Sequence, residues 1–94
     1  MQKDEKILVD KEKGIKKIKT ALRTHLINYE KLRKLVIESG YRFVETGDYT
    51  TIFSPNYNVV KDETDNPLVI KSDKKNDKKL LIRVLQGIID DYKK

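Results

Sequence analysis

Ile15, Ile18, Leu22, His25, Tyr29, Leu32 and Val36 recur along the chain in alternating steps of three and four residues. That spacing gathers side chains along one face of an α-helix, so the sequence predicts a long amphipathic helix from about residue 12 to residue 39. Asp10 is placed to cap its N-terminus. Gly14 weakens its first turn, since glycine costs about 1 kcal/mol relative to alanine inside a helix. Ser39-Gly40 is a natural stop, because glycine takes the left-handed conformation that closes many helices. Ala21, Leu26 and Leu35 widen the apolar stripe beyond a two-position seam, which favours packing against several elements over a two-stranded coiled coil. Ile15, Ile18, Leu22, Tyr29 and Leu32 are the residues expected to join this helix to a partner surface, either in the chain's own core or in a second subunit. Lys16, Lys17, Arg23, Lys31 and Lys34 form a basic back, which reads either as a solvated face or as an electrostatic docking face.

Downstream of Gly40 the pattern changes. Aromatic and β-branched residues flank Gly47-Asp48 in YRFVETGDYTTIFSP, residues 41–55. This predicts a hairpin with a two-residue turn, positive φ at Gly47, Phe43 opposite Ile52 and Val44 opposite Thr51. Pro55 ends the second strand. A two-stranded ribbon is not stable alone, so the hairpin must lean on a helix through Phe43 and its neighbours. Residues 56–66 read as a loop. Asn66-Pro67 suits a helix start, yet Leu68-Val69-Ile70 suits a short strand, and both assignments remain open. From Asp77 onward, Leu81, Val84, Leu85, Ile88 and Tyr92 line the face of a final helix. In it, Gly87 is either a weak point or a point of close packing.

The expected fold class is therefore α+β, a single small domain over residues 1–94. A long N-terminal amphipathic helix, a small β-hairpin and a C-terminal amphipathic helix follow in the order α-β-β-α, with room for a short third strand. The reading allows residues 1–11 to be a flexible extension. With 37% of residues hydrophobic and 38% charged, self-association into a homo-oligomer is an expected way to hide leftover apolar surface. No apolar run approaches the roughly 20 residues of a membrane span, so no membrane partner is expected. The lack of cysteine excludes a disulfide framework and makes the cytoplasm the expected compartment.

Charge is unevenly spread. Residues 1–39 carry a net +5 and residues 67–94 a net +4, around a middle of net −3 in residues 40–66. A basic surface attracts phosphate backbones. The residues expected to meet one are Lys16, Lys17, Arg23, Lys31 and Lys34 on the first helix, with Lys74, Lys75 and Lys78 in the later cluster. Lysine suits sequence-independent attraction, whereas bidentate guanine reading uses arginine, which is scarce here. Tyr41, Tyr49 and Tyr57 are candidates to stack on exposed bases, or to anchor the hairpin.

Catalytic chemistry finds few groups. His25 is the only imidazole and falls within the helical seam, where packing is its expected role. One histidine and no cysteine do not make a metal site of that type. Asp62, Glu63 and Asp65 lack the full calcium-loop pattern and read as solvated acids. There is no phosphate-binding loop, so neither a cofactor nor an enzymatic activity is expected.

The order of features in LRKLVIESG (residues 32–40) and NPLVIKSDKKNDKKLLIRVLQGI (residues 66–88) resembles the closing region of some short phage terminase small subunits. The shared elements are Gly40, Pro67 and the apolar spacing through Leu81, Leu85 and Ile88. This resemblance, over roughly residues 15–90, implies a non-enzymatic viral DNA-packaging component. Such a component assembles into oligomers, engages double-stranded DNA and regulates a separate large subunit. The chain departs from that pattern in its very polar stretch 71–79. Two functional expectations follow. One is a small oligomeric nucleic-acid-associated adaptor. The other is a protein-binding regulator or inhibitor of a larger partner protein, in which the acidic loop 56–66 or the hairpin makes the contact.

Overall fold

The computed structural model describes residues 8–72 and 76–94. Where one long helix is expected, the chain forms two: α1, Lys11–Thr24, and α2, Tyr29–Glu38. The break has local causes. Thr20 and Thr24 turn their hydroxyls back onto the carbonyls of Lys16 and Thr20 at 3.2 and 3.0 Å, a habit that competes with regular helix. His25 then adopts the left-handed conformation, φ 61°, and donates its N–H to the Ala21 carbonyl at 2.7 Å. Asn28 caps the next helix, its Oδ1 accepting the Lys31 N–H at 2.8 Å. His25 is consequently an exposed helix-end residue and not a member of a packed seam. Leu26 is likewise 64% exposed, outside the apolar stripe assigned to it.

The two helices fold back on one another as an antiparallel pair. Their closest approach is at Gly14, whose missing side chain lets α1 lie against the backbone of Ser39 at the end of α2. Asp10 caps α1 through the Lys13 N–H at 3.2 Å and donates its own N–H to the Glu38 carbonyl at 2.8 Å. Gly40, φ +90°, then releases the chain from α2 into the sheet.

Three strands follow: β1, Arg42–Thr46; β2, Tyr49–Phe53; and β3, Val69–Lys71. They form an antiparallel meander in the order β1-β2-β3. Phe43 faces Ile52 and Val44 faces Thr51, the register expected from the turn. Gly47 carries positive φ while Asp48 does not, the φ pattern of a type II′ hairpin. The stretch left open between helix and strand is strand, with Thr51 opposite Val69 and Tyr49 opposite Lys71. A long excursion joins β2 to β3. It pairs Phe53 with Val59 and Lys61 with Pro67, and buries Val60 and Leu68 beside Ile52. The final helix, α3, spans Lys78–Tyr92. Leu68 lies against Gly87, where an added Cβ would meet its Cδ1, so Gly87 is a point of close packing.

The three helices pack on one another, and α2 lies against the inner face of the sheet. Ile18, Leu32, Val36, Ile52, Val84, Leu85 and Ile88 are fully buried in the shared core. Ile15, Ile18, Tyr29 and Leu32 therefore lie inside the chain's own core, with Leu22 packed half-buried against it. Of the two surfaces expected for these five residues, the core of the single chain is the one they occupy here. Its polar exception is a chain of hydroxyls. The Tyr29 phenol donates to Glu45 at 2.5 Å and so accepts from Thr50 at 3.0 Å, and Thr50 in turn meets Ser72 at 2.7 Å. Burial first, then the hydrogen bond to Glu45, raises the Tyr29 pKa above its ordinary value. Among the described residues no helix is long and apolar enough to cross a membrane.

Candidate nucleic-acid interface

Antiparallel packing of α1 and α2 brings together lysines that lie far apart in sequence. A cleft of about 530 Å³ between the helices is lined by Lys13 and Lys17 from α1 and by Lys31 and Lys34 from α2. Leu35 forms part of its apolar floor, and Asp10 and Glu38 close one end. A second hollow beside it, about 300 Å³, adds Lys16 and Thr20. Helical spacing accounts for the α1 contribution, since positions 13, 16, 17 and 20 share one stripe.

The two carboxylates that line this cleft among the described residues are already engaged. Asp10 caps α1. Glu38 receives the Lys17 ammonium on both oxygens at 3.1 Å, a bridge that ties the two helices together. Lys13, Lys16 and Lys31 are exposed and have no carboxylate partner among the described residues. Their charge is therefore uncompensated at short range, on a rigid frame, around an apolar floor that suits the lysine methylene stems.

The other expected contacts are placed differently. Arg23 is exposed in the last turn of α1 and lines neither hollow. Lys78, in the first turn of α3, borders a separate 310 Å³ pocket beside Asn28, Glu30 and Leu81. Lys74 and Lys75 lie outside the described residues. Lys13 is the functional candidate that sequence reasoning missed. It precedes Lys16 and Lys17 by three and four residues, and that spacing was the available signal.

Of the three tyrosines considered for stacking, Tyr41 is excluded by its surroundings. It is buried and donates its phenol to Asp91 at 2.6 Å, joining the start of the sheet to α3. Burial and then that hydrogen bond push its pKa well above the ordinary 10.0. The stabilisation that this implies is fully present below pH 10 and is lost as the pH rises further. Tyr49 and Tyr57 are exposed.

The acidic loop is more ordered than a set of solvated acids. Asp62 Oδ1 accepts the N–H groups of Thr64 and Asn66 at 2.9 and 3.0 Å and the Thr64 hydroxyl at 2.7 Å. Its other oxygen lies 4.0 Å from Arg83 on α3. The Thr64 hydroxyl first, and the Asn66 amide next, hold the Asp62 pKa below its usual 3.8. A depressed carboxylate stabilises the fold above its unfolded pKa, and that contribution disappears as pH falls through the folded value. The amide resonances of Thr64 and Asn66 are thus expected to titrate together in an NMR acid titration, with a midpoint below pH 3.8. A midpoint at or above it would mean that the turn does not hold the ionised carboxylate.

Comparison of the chain with protein-family models, with curated proteins and with solved structures finds no match in any of the three.

Proposed function

We propose that the chain is a non-enzymatic nucleic-acid-associated adaptor that docks on a phosphate backbone through the α1/α2 lysine cleft. The observation that supports this reading is convergence. Two helices of opposite direction deliver five lysines to adjoining hollows, and three of these lysines have no carboxylate partner among the described residues. Lysine ammonium groups on flexible stems suit contacts that position a complex on phosphate without reading bases. Viral DNA packaging is the setting suggested by the resemblance of residues 32–40 and 66–88. Any homo-oligomer would use a surface other than the buried seam.

The direct test reverses charge at Lys13, Lys16 and Lys31, leaving Lys17 in place because its bond to Glu38 holds the helices together. Affinity for a generic DNA duplex at low salt is expected to fall at least tenfold. The slope of log affinity against log salt should shrink by roughly 2 to 3, since each phosphate contact contributes about 0.9 to it. Helical circular dichroism should be unchanged. Unaltered binding and slope would remove the cleft from the interaction.

One observation favours the reading as a protein-binding regulator. Asp62, Glu63 and Asp65 of the loop and Asp90 and Asp91 of α3 line a shared hollow in which Lys61, paired with Asp65 at 3.6 Å, and Lys94 offset only part of the acidic charge. A basic partner segment would fit there. Under that reading the lysine reversals are harmless, and neutralising Glu63 and Asp90 abolishes capture of the partner.

A further inference from the structure

The sheet has a second face, and no described element covers it. Alternation along β2 sends Thr50 and Ile52 inward and Tyr49, Thr51 and Phe53 outward. Cross-strand register adds Val44 and Arg42 from β1 and Val69 and Lys71 from β3 to the same outer surface. Tyr57, just beyond β2, continues it: the Arg42 guanidinium stacks on the Tyr57 ring, 3.9 Å from its centroid. Val44, Val69, Tyr49 and Tyr57 are 39, 45, 57 and 65% exposed, and Phe53 is half-buried. Such a concentration of rings and β-branched side chains on open surface calls for an occupant.

We propose that this outer face is a stacking platform for the unpaired bases of a single-stranded nucleic acid, with Tyr49 and Phe53 as its rings and Arg42 and Lys71 as its phosphate contacts. The inference rests on the nucleic-acid reading above and adds the strand state of the ligand.

Three arguments select this occupant. The first is charge. Among the described residues the three strands present two cations and no carboxylate on this face: Glu45 points to the opposite face, where it holds Tyr29, and Asp48 lies in the turn at the end of the hairpin. A polyanion is complementary to it, whereas a second copy seated face to face would set Arg42 and Lys71 against their own like charges.

The second argument is size. Strands of five residues are about 17 Å long, and three strands with their flanks are about 15 Å across. That is roughly 250 Å², against the roughly 800 Å² per partner of a stable protein interface. The area suits two or three nucleotides.

The third is spacing. Tyr49 and Phe53 stand four residues apart on one strand, about 13 Å at the strand rise. Thr46 and Thr51 lie on the same surface and offer hydroxyls to base edges between the rings. Aromatic rings on a cationic groove or sheet are how proteins hold single strands without strong sequence preference, because every base presents a π-face. The Arg42 guanidinium, over the Tyr57 ring and with its Nη2 donating to the Pro55 carbonyl at 3.5 Å, holds Tyr57 at the edge of the platform.

The test compares a short labelled oligothymidylate with a duplex of the same length, by fluorescence anisotropy at fixed salt. Tyr49→Leu combined with Phe53→Leu removes both rings while keeping apolar bulk. The wild-type chain is expected to prefer the single strand. The double variant is expected to lose at least tenfold in single-strand affinity while its duplex affinity and salt slope stay as they were. If circular dichroism shows that the double variant does not fold, Tyr49→Leu alone carries the test, since Tyr49 is exposed.

Oligothymidylate affinity that is unchanged by loss of the rings but abolished by the Lys13, Lys16 and Lys31 reversals would overturn the platform and leave the cleft standing. A wild-type chain that binds neither oligonucleotide overturns both readings. A wild-type dimer that becomes monomeric on Val44→Glu, measured by light scattering, would show that a second copy covers the face and would also overturn the proposal.

Discussion

Ile18→Ala is expected to cost about 3 kcal/mol of folding stability, the middle of the range for emptying a fully buried aliphatic site. Leu26→Ala is expected to change stability by no more than about 0.5 kcal/mol, as at other exposed positions. The pair separates two accounts of the N-terminal segment. On one continuous helix, positions 18 and 26 lie about 80° apart around the axis, both within the widened apolar stripe, and both substitutions would be costly. In the observed fold Ile18 is fully buried, while Leu26 sits in the corner after the left-handed His25 and is 64% exposed. Urea denaturation measures both, and a loss of about 3 kcal/mol is a large share of the roughly 5–15 kcal/mol that stabilises a domain. Equal costs at the two positions would mean that the helix does not break at His25. A concentration-dependent midpoint for the wild-type chain would show that subunits join.

Gly14→Ala is expected to destabilise the fold by about 2 kcal/mol, although helix propensity alone favours alanine by about 1 kcal/mol. The added Cβ would lie 2.7 Å from both Cα and N of Ser39 and 3.0 Å from the carbonyl carbon of Glu38. These are backbone atoms held by their own bonds, with the Ser39 N–H on the Leu35 carbonyl and its hydroxyl on the Val36 carbonyl. They cannot move aside as the tip of a side chain would, so the two helices must separate. The overpacking cost belongs at the upper end of the usual 1–3 kcal/mol. Separation would also lengthen the Lys17–Glu38 bridge and widen the lysine cleft, so the variant should weaken duplex binding even at temperatures where it remains folded. A thermal midpoint raised by the substitution would show that α1 and α2 do not approach this closely.

Several elements can be read from the residues because their causes are local. Asp10 as a cap, Gly40 as a stop, and the hairpin register around Gly47-Asp48 each follow from chemistry within a few positions. The final helix follows from one uninterrupted apolar stripe. The corner at 25–28 hides because it preserves phase. Leu22 and Tyr29 face the same core from two different helices, so the three-and-four spacing runs through the break as if nothing had happened. Asn28 was the available signal, a capping residue followed by Glu30 in the first turn.

The strand Val69–Lys71 is only three residues long and owes its conformation to β2, some twenty positions upstream. The lysine cleft is half legible. Helical spacing aligns Lys13, Lys16 and Lys17, but their meeting with Lys31 and Lys34 depends on the reversal at the corner. The outer sheet face follows from the hairpin register, yet its openness is visible only once the helices are seen to lie together on the other side.

The order of the elements also bears on how the chain reaches this state. α1 pairs with α2, β1 with β2 and β2 with β3, each a neighbour joining the next along the chain. The α1–α2 and β1–β2 steps close short loops and are fast, while β2–β3 pairing closes the longer excursion between those strands. α3 breaks the rule, because it must come back from the C-terminal end to pack on α1. The stages before it leave Ile18 and Leu32 against an incomplete core. Docking of α3 is the step that would make folding cooperative, so a helix that pairs with none of its chain neighbours is the one that commits all the others.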